Sequence, residues 1–476
     1  MQLIEAALAL FVSIQLILLF IKKKDKQVFA FIGLGLLAFH FILGEGRWQM
    51  AFIYLVEIIL IIIYLRNVKT KIVWRVVGTF FALIGTAASV ILSTTLPVFS
   101  LPESSGPYQV GRSELYIKVD NRPETITDNA TDKRELMINL WYPTKVTDAT
   151  NGKYLPAVER EGFALKYGLP AGAFSYLDKV STNHQINAEP AKGEFPVLIF
   201  SPGFYTPASG YLSVIEELVS HGFVVFNLIT PYETMGIEYP DGRKVYFDHA
   251  FHNANSWNWN DEVAEAMETF QNAPDDQTAR EATQIIVNNY GADIVKRWAM
   301  DITNLIDELP ALNSNTSFPL AGKLNLNQLA TYGHSIGGAA AMEAAIFDER
   351  IKAAVNLDGS QWGSLMNNPL NKPGALISSS LTNAIPDVNP FIFEASLGST
   401  FYNLKLENTG HSNFSDIPYM VRLPQLNEAG SLAPEKATYT VNKFLLNFFN
   451  KHLLNENIDL RNIIANDDYL TMRNKD

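Results

Sequence analysis

The sequence predicts an α/β protein in which a mostly parallel sheet, flanked by helices, follows a four-helix transmembrane region. Residues 1–100 contain four apolar runs in close succession, whereas residues 113–460 alternate short β-type runs with amphipathic segments. Such alternation is typical of a parallel sheet covered by helices on both faces. Residues 1–100 carry a net charge of +5 and residues 101–476 a net charge of -17. This asymmetry indicates two parts in different environments.

The composition excludes several classes of protein and of site. The 476 residues are 47% hydrophobic and carry a net charge of -12. A chain this apolar is not disordered, and one this acidic is not expected to bind nucleic acid. The sequence contains no cysteine. Disulfides, cysteine nucleophiles, iron–sulfur clusters and thiolate zinc sites are therefore excluded.

The four apolar runs cover residues 3–21, 28–44, 48–65 and 72–99. A spanning helix needs about 20 apolar residues, so the first, third and fourth runs are long enough and the second would span with little tilt. A single cleavable signal peptide fits poorly, because no basic region precedes the first run and three more runs follow it. We therefore expect four transmembrane helices in residues 1–100.

Basic residues cluster in the first and third connections between these runs. The residues are Lys22, Lys23, Lys24 and Lys26 in the first, and Arg66, Lys69, Lys71 and the adjacent Arg75 in the third. In the second connection the opposite charges of Glu45 and Arg47 cancel. The positive-inside rule places the first and third connections in the cytoplasm, so both termini and residues 101–476 are predicted to be extracytoplasmic. His40 and Glu57 lie inside the runs, and we expect them to be satisfied within the bundle rather than to mark a transport pathway.

The remaining chain divides into a Pro/Gly/Ser-rich linker at 101–112, one large domain at 113–460 and a C-terminal tail at 461–476. A long polar insertion is predicted at about 230–277. Strands are predicted at 114–119, 136–142, 196–201, 223–229, 329–332, 353–357, 375–379 and 401–406. Helices are predicted at 213–221, 276–290, 292–309, 336–345 and 437–454.

Residues 333–337 read Gly-His-Ser-Ile-Gly, a G-x-S-x-G pentapeptide between a predicted strand and a helix of small residues. This is the context of a nucleophile elbow, a sharp turn that lifts a serine hydroxyl above the sheet and is typical of the α/β-hydrolase fold. The turn is so sharp that the residues flanking it must be small, and they are Gly333, Gly337 and Gly338. The alternative is a tight turn with an idle serine. We predict that Ser335 is a nucleophile.

A serine nucleophile needs a base and an acid, which in this fold follow it in the order Asp or Glu, then His. His411 and His452 come after Ser335, and His452 is expected to be solvated at the end of the last helix. His411 is therefore the predicted base. Asp358 directly follows a strand and is the predicted acid. The competing acids are Asp387 and Asp416, the second of which could instead brace the histidine loop.

Two backbone N–H groups are needed to hold the oxyanion. One is expected from Ile336, the residue after the nucleophile, and the other from Phe204 in the loop that follows the strand at 196–201. His334 is expected to be a structural residue of the elbow. His249 and His252 could suggest a metal site, but a solvated loop fits their spacing better. The sequence predicts no metal and no organic cofactor.

Together these segments resemble the plasma and intracellular type II platelet-activating factor acetylhydrolases and their bacterial relatives, within the α/β-hydrolase superfamily. The likeness lies in Gly-Pro-Tyr-Gln-Val-Gly at 106–111, Leu-Trp-Tyr-Pro at 140–143, Gly-His-Ser-Ile-Gly-Gly at 333–338, Leu357-Asp358 and His-Ser-Asn-Phe-Ser-Asp at 411–416. The sequence departs from the family at Pro202, where histidine is common. The four-helix region is absent from the animal enzymes, and residues 230–300 match poorly.

The resemblance implies a calcium-independent serine hydrolase that cleaves esters, typically short or oxidised acyl groups of phospholipids. We therefore expect a membrane-anchored carboxylic ester hydrolase with an ester or phospholipid substrate and the lipid bilayer as a partner. An acyltransferase using the same triad is one alternative. A catalytically idle hydrolase-fold receptor or scaffold is another, and peptidase activity is a weaker third.

Overall fold

The computed structural model describes residues 2–21, 26–146, 150–255, 261–381, 387–396 and 400–473. The chain divides into two compact units. The first comprises Met1–Ser100 with Tyr176–Val180 and Tyr419–Asn427, and the second comprises Leu101–Ser175, Ser181–Pro418 and Glu428–Asp476. Lys22, Lys23 and Lys24, used to predict orientation, lie outside the described residues.

Helices occupy each of the four apolar runs of the first unit: α1 Leu3–Leu18, α2 Gln27–Ile42, α3 Ala51–Leu65 and α4 Ile72–Thr95. Among the described residues, two helical segments, Trp48–Leu65 and Ile72–Thr95, are long and apolar enough to cross a membrane. Helices α1 and α2 have 16 residues each, or about 24 Å at 1.5 Å per residue. That is shorter than a hydrocarbon core of about 30 Å. Helix α1 ends at Leu18, whereas its apolar run continues to residue 21.

Several polar side chains inside the first unit contact other side chains. The Arg47 guanidinium donates to both carboxylate oxygens of Glu5, at 2.6 and 2.7 Å. The Gln15 amide donates to Glu57 at 2.7 and 2.6 Å, and His40 Nε2 lies 2.7 Å from the Tyr54 hydroxyl oxygen. His40 Nε2 and the Glu57 carboxylate thus have hydrogen-bond partners within the bundle. Buried polar groups of this kind require such partners.

The second unit is built on a ten-stranded sheet in the order β12-β11-β10-β9-β8-β4-β5-β2-β1-β3. Its strands are β1 Gln109–Pro123, β2 Lys133–Thr144, β3 Gln185–Ile186, β4 Phe195–Ser201, β5 Val224–Ile229, β8 Leu324–His334, β9 Ile351–Leu357, β10 Gly374–Ser379, β11 Phe401–Leu406 and β12 Leu470–Met472. A separate hairpin contains β6 Ile237–Glu238 and β7 Lys244–Val245. The strands from β11 to β5 are parallel, and β2 and β12 join their neighbours antiparallel.

After residue 100 the helices are α5 Ala157–Lys166, α6 Leu212–Ser220, α7 His249–Ala254, α8 Asp261–Gln271, α9 Asp276–Val287, α10 Tyr290–Ser314, α11 Ile336–Phe347, α12 Asn389–Phe393, α13 Ile417–Met420, α14 Pro424–Asn427, α15 Pro434–Leu453 and α16 Leu460–Ala465. Helix α14 and the end of α13 belong to the first unit, and the other helices belong to the second. The central strands are buried along almost their whole length, as expected for parallel strands covered on both faces. The mostly parallel α/β sheet predicted from the sequence is confirmed.

The structure contains elements in stretches where the sequence predicted none. Strand β1 begins at Gln109, inside the stretch predicted as a linker, and β12 adds a strand from the stretch predicted as a tail. The predicted insertion contains the β6–β7 hairpin and helices α7 and α8. Strands β6, β7 and β12 and helix α7 have at most six residues each, so their hydrophobic periodicity is too weak to separate them from loops.

Candidate active site

Ser335 lies on the sharp turn between β8 and α11. Its backbone has φ 57° and ψ -129°, a left-handed φ that L residues avoid and that marks strain held by the surrounding structure. Its N–H donates to the carbonyl of Leu357, at the end of neighbouring β9, at 2.9 Å. The turn therefore has the strained strand-to-helix geometry of a nucleophile elbow.

Glycines make this turn possible because backbone packs directly against them. A Cβ at Gly333 would lie under 3.0 Å from the backbone of Gly337 and Ser201. A Cβ at Gly337 would overlap the backbone of Ser201 and Pro202. Residues larger than glycine would therefore push the elbow away from the end of β4.

The structure brings His411 and Asp358 together. Asp358 directly follows β9, and His411 begins a 3₁₀ turn after β11. His411 Nδ1 lies 2.7 Å from Asp358 Oδ2, and the backbone N–H of Ser379 donates to the other carboxylate oxygen at 2.6 Å. The carboxylate is 7% exposed and the imidazole 25%. The aspartate is held in place and partly desolvated, while the histidine ring remains accessible.

The electrostatics of this pair suit a general base. Burial lowers the pKa of His411, but the hydrogen bond and negative charge of Asp358 outweigh it and raise the pKa above its usual range. A carboxylate only accepts, so Nδ1 carries the proton and Nε2 of the neutral ring keeps its lone pair. Asp358 thus fixes the tautomer and stabilises the imidazolium.

Asp416, a competing acid, is engaged elsewhere. Its Oδ2 accepts the N–H of Leu212 at 2.8 Å and the Tyr154 hydroxyl at 3.2 Å. Its Oδ1 accepts the N–H and the hydroxyl of Ser213. These donors include the first N–H groups of α6, which have no partner within the helix. Asp416 therefore braces the histidine loop against α6.

The other two alternatives, Asp387 and His452, also have contacts elsewhere. Asp387 Oδ2 accepts from the Arg473 guanidinium at 2.6 Å. His452 is not solvated as expected. Its ring packs 4.7 Å from that of Phe448 and 6.3 Å from that of Tyr402, and burial lowers its pKa to about 4.

Phe204 and Ile336, the predicted oxyanion residues, follow the carboxyl ends of two neighbouring strands, β4 and β8. Ser201 ends β4 and pairs in parallel register with Gly333 of β8, so the loop after β4 and the elbow leave the sheet side by side. Ile336 is the first residue of α11, where the helix dipole favours negative charge. Phe204 lies three residues beyond Ser201 in the half-buried part of the loop.

An aromatic cluster that the sequence did not predict packs on the oxyanion loop. The Phe204 ring lies 5.2 Å from Phe247 and 5.1 Å from His252, and Tyr205 stacks on Phe247 at 3.9 Å. The Tyr205 hydroxyl lies 3.0 Å from Nε2 of His249. The expectation of a solvated loop is wrong for His252, which is buried on α7. In the described part of the chain, no three His, Asp or Glu residues converge as metal ligands.

Comparisons with known proteins identify the family that the chain resembles. Residues 94–469 match the family described as platelet-activating factor acetylhydrolase, isoform II. The chain is 24% identical over 418 residues to a platelet-activating factor acetylhydrolase of Cavia porcellus, covering 80% of this chain and 84% of that one. It is 22% identical over 365 residues to a probable 1-alkyl-2-acetylglycerophosphocholine esterase of Arthroderma benhamiae, covering 70% and 80%.

A solved structure extends the likeness to the fold. The ferulic acid esterase from Streptomyces cinnamoneus superposes with a TM-score of 0.61 at 21% identity, covering 79% of this chain and all of that one. At this identity the superposition shows the α/β-hydrolase fold alone, whereas the family match spans most of the chain. The chain therefore belongs to the platelet-activating factor acetylhydrolase, isoform II, family and is a carboxylic ester hydrolase.

Proposed function

We propose that this protein is a membrane-anchored serine hydrolase that cleaves esters with a Ser335–His411–Asp358 triad. The single observation that carries the proposal is the 2.7 Å contact between His411 Nδ1 and Asp358, at the sheet edge that also carries the strained elbow of Ser335. An idle domain has no physical need for a strained serine at the sheet edge that also holds an oriented histidine.

The reaction follows from these positions. His411 Nε2 takes the hydroxyl proton as Ser335 Oγ attacks the ester carbonyl carbon, and the oxyanion is held by the N–H groups of Phe204 and Ile336. The tetrahedral intermediate collapses as the imidazolium protonates the leaving alcohol, leaving an acyl-enzyme. Water, deprotonated by His411, then attacks the acyl carbonyl, and the imidazolium protonates Ser335 Oγ as its bond to the acyl carbon breaks, which releases the carboxylic acid and restores Ser335 and neutral His411.

We propose short or oxidised acyl groups of phospholipids as the substrates. The support is the family and the curated relatives, whose names refer to an acetyl ester of an alkyl glycerophosphocholine.

The test compares p-nitrophenyl esters from acetate to long chains, and 1-alkyl-2-acetylglycerophosphocholine beside its long-acyl counterpart, on the full chain in detergent. We expect kcat/KM to fall with acyl length, because a pocket sized for a short chain excludes a long one. A difference of one methylene is worth about 1–3 kcal/mol. An optimum at long acyl chains would contradict the proposed substrate class.

Membrane anchoring by residues 1–100 is supported by the exposed apolar surface of the first unit. Helix α4 leaves Trp74 68% and Phe81 65% exposed, and two helical segments are long and apolar enough to span a bilayer. Such a surface is costly in water and is satisfied by lipid. We propose that all four helices reside in the membrane and that residues 101–476 are extracytoplasmic, following the positive-inside rule.

Orientation can be tested with single cysteines because the natural chain has none. Glu349→Cys places a thiol at a side chain that is 90% exposed in the second unit, and Lys69→Cys places one in the connection between α3 and α4. On intact cells a membrane-impermeant maleimide should label Glu349→Cys, whereas Lys69→Cys should react only after permeabilisation. The cysteine-free parent is the control for background labelling. The reverse pattern would overturn the orientation.

A further inference from the structure

His334, the residue before the elbow serine, joins two loops of the candidate active site. Its ring is 2% exposed. One nitrogen, Nε2, lies 3.0 Å from the carbonyl oxygen of His411, and the other, Nδ1, lies 3.0 Å from the hydroxyl of Tyr211. The same hydroxyl accepts the backbone N–H of Gly203 at 2.9 Å. A continuous chain of hydrogen bonds thus connects the backbone of the oxyanion loop with the backbone of the histidine loop.

The chemistry of these groups fixes where each proton lies. The His411 carbonyl can only accept, so Nε2 of His334 carries a proton. Burial holds the pKa of His334 well below its usual range, so the ring is neutral and Nδ1 accepts. Tyr211 therefore donates to Nδ1 while its oxygen receives the Gly203 N–H. The Thr206 hydroxyl, 3.2 Å from that oxygen, donates to the Gly203 carbonyl at 2.7 Å.

Packing restricts the movement of this hydrogen-bonded bridge, which runs from Gly203 through Tyr211 and His334 to the His411 carbonyl. A Cβ at Gly203 would lie only 3.0 Å from the Tyr211 hydroxyl and 3.2 Å from His334 Nδ1. The His334 and His411 rings are 4.5 Å apart, centre to centre. A neutral His334 is required beside His411, because a second cation there would oppose the imidazolium formed during catalysis.

We propose that Tyr211 and His334 are positioning residues that set the oxyanion loop relative to the general base. This inference rests on the proposed function, because it concerns the same reaction. Without the bridge, Gly203 would lose its acceptor, and the N–H of the following residue, Phe204, would no longer be held where the oxyanion forms. A displacement of about 1 Å in a catalytic group can cost about 10²-fold in rate.

The test is Tyr211→Phe, which removes the hydroxyl and keeps the ring. The matched control is Tyr142→Phe in β2, which removes a buried hydroxyl that donates to the backbone carbonyl of Ala188 at 2.8 Å. Active sites are titrated with a fluorophosphonate, and kcat is expressed per titrated site. We expect Tyr211→Phe to lower this kcat by about 10- to 100-fold with KM within about threefold of wild type. Tyr142→Phe should match wild type.

A merely structural role would reduce the melting temperature and the number of titratable sites but not the turnover of each site. Turnover per site equal to that of Tyr142→Phe would therefore overturn the inference. If Tyr211→Phe does not fold, His334→Asn is used in its place. This change removes the hydrogen bond to the His411 carbonyl, and its turnover per titrated site is compared with that of Tyr142→Phe in the same way. Failure of the proposed function has a different signature, since Ser335→Ala would then cleave esters like wild type, and the inference would fall with it.

Discussion

Replacing Ser335 by alanine is expected to lower kcat for ester hydrolysis by about 10⁶-fold, the size of loss seen when a triad nucleophile is removed. The reason is direct, because the hydroxyl supplies the atom that forms the acyl-enzyme, and no other group at the elbow can replace it. The measurement is steady-state cleavage of p-nitrophenyl acetate by the purified full chain.

The fold should survive this change. Alanine keeps the Cβ that the strained backbone already accommodates at φ 57°, so the thermal unfolding midpoint should stay close to that of wild type. The matched control is Ser314→Ala, which removes an exposed hydroxyl at the end of α10 and should leave kcat unchanged. Turnover of Ser335→Ala within tenfold of wild type would contradict the assignment of the nucleophile.

Replacing Asp358 by asparagine should lower kcat by about 10⁴-fold. An amide can present its N–H₂ to His411 Nδ1 and so favour the wrong tautomer, with the proton on the nitrogen that must accept it. The pH dependence should change as well. His411 acts as a base only when neutral, so wild-type activity rises with pH through a His411 pKa that Asp358 raises. Without that charge, burial lowers the pKa, and the residual activity should reach its plateau at lower pH.

Asp387→Asn is the control for this experiment, because Asp387 was a competing acid in the sequence and pairs with Arg473 in the structure. We expect wild-type kcat and an unchanged pH midpoint. The measurement is kcat/KM from pH 4 to 9 for both variants and wild type. A large loss in Asp387→Asn with little loss in Asp358→Asn would reverse the assignment of the acid.

The sequence was enough to predict Ser335, Asp358 and His411 as candidate residues because the signals for them are local. The elbow is encoded by a pentapeptide between a strand and a helix, and Asp358 by its place directly after a buried strand. Parallel strands end at one edge of a sheet, so chain order alone predicts that Ser335, Asp358 and His411 converge. The structure places Asp358 against His411, and the catalytic roles remain predictions for the experiments above.

The bridge through Tyr211 and His334 could not be predicted in the same way. The two residues are 123 positions apart, and no periodicity links a tyrosine before α6 with a histidine at the end of β8. The same holds for Phe247 and His252, whose contacts with Phe204 arise from a tertiary fold of the insertion. Aromatic side chains in a polar stretch do not by themselves indicate which loop they cover.

Hydropathy located the four helices of residues 1–100 but not their exact ends or their polar partners. Apolar residues continue to Ile21, although α1 stops at Leu18, because composition does not determine where the backbone leaves the helix. The sequence indicated that Glu45 and Arg47 cancel across a connection. That charge count does not indicate the partner of Arg47, which in the structure is Glu5 of α1, a contact that depends on helix packing.

The measurement that tests the central claim most directly is covalent labelling of the full chain with a fluorophosphonate, followed by mass spectrometry of its peptides. A nucleophile activated by His411 should take one phosphonyl group per chain, on Ser335, and Ser335→Ala should take none. Labelling should also slow in Asp358→Asn, because the base is then held in the wrong tautomer. A folded chain that remains unlabelled, or that is labelled at another serine, would contradict the account.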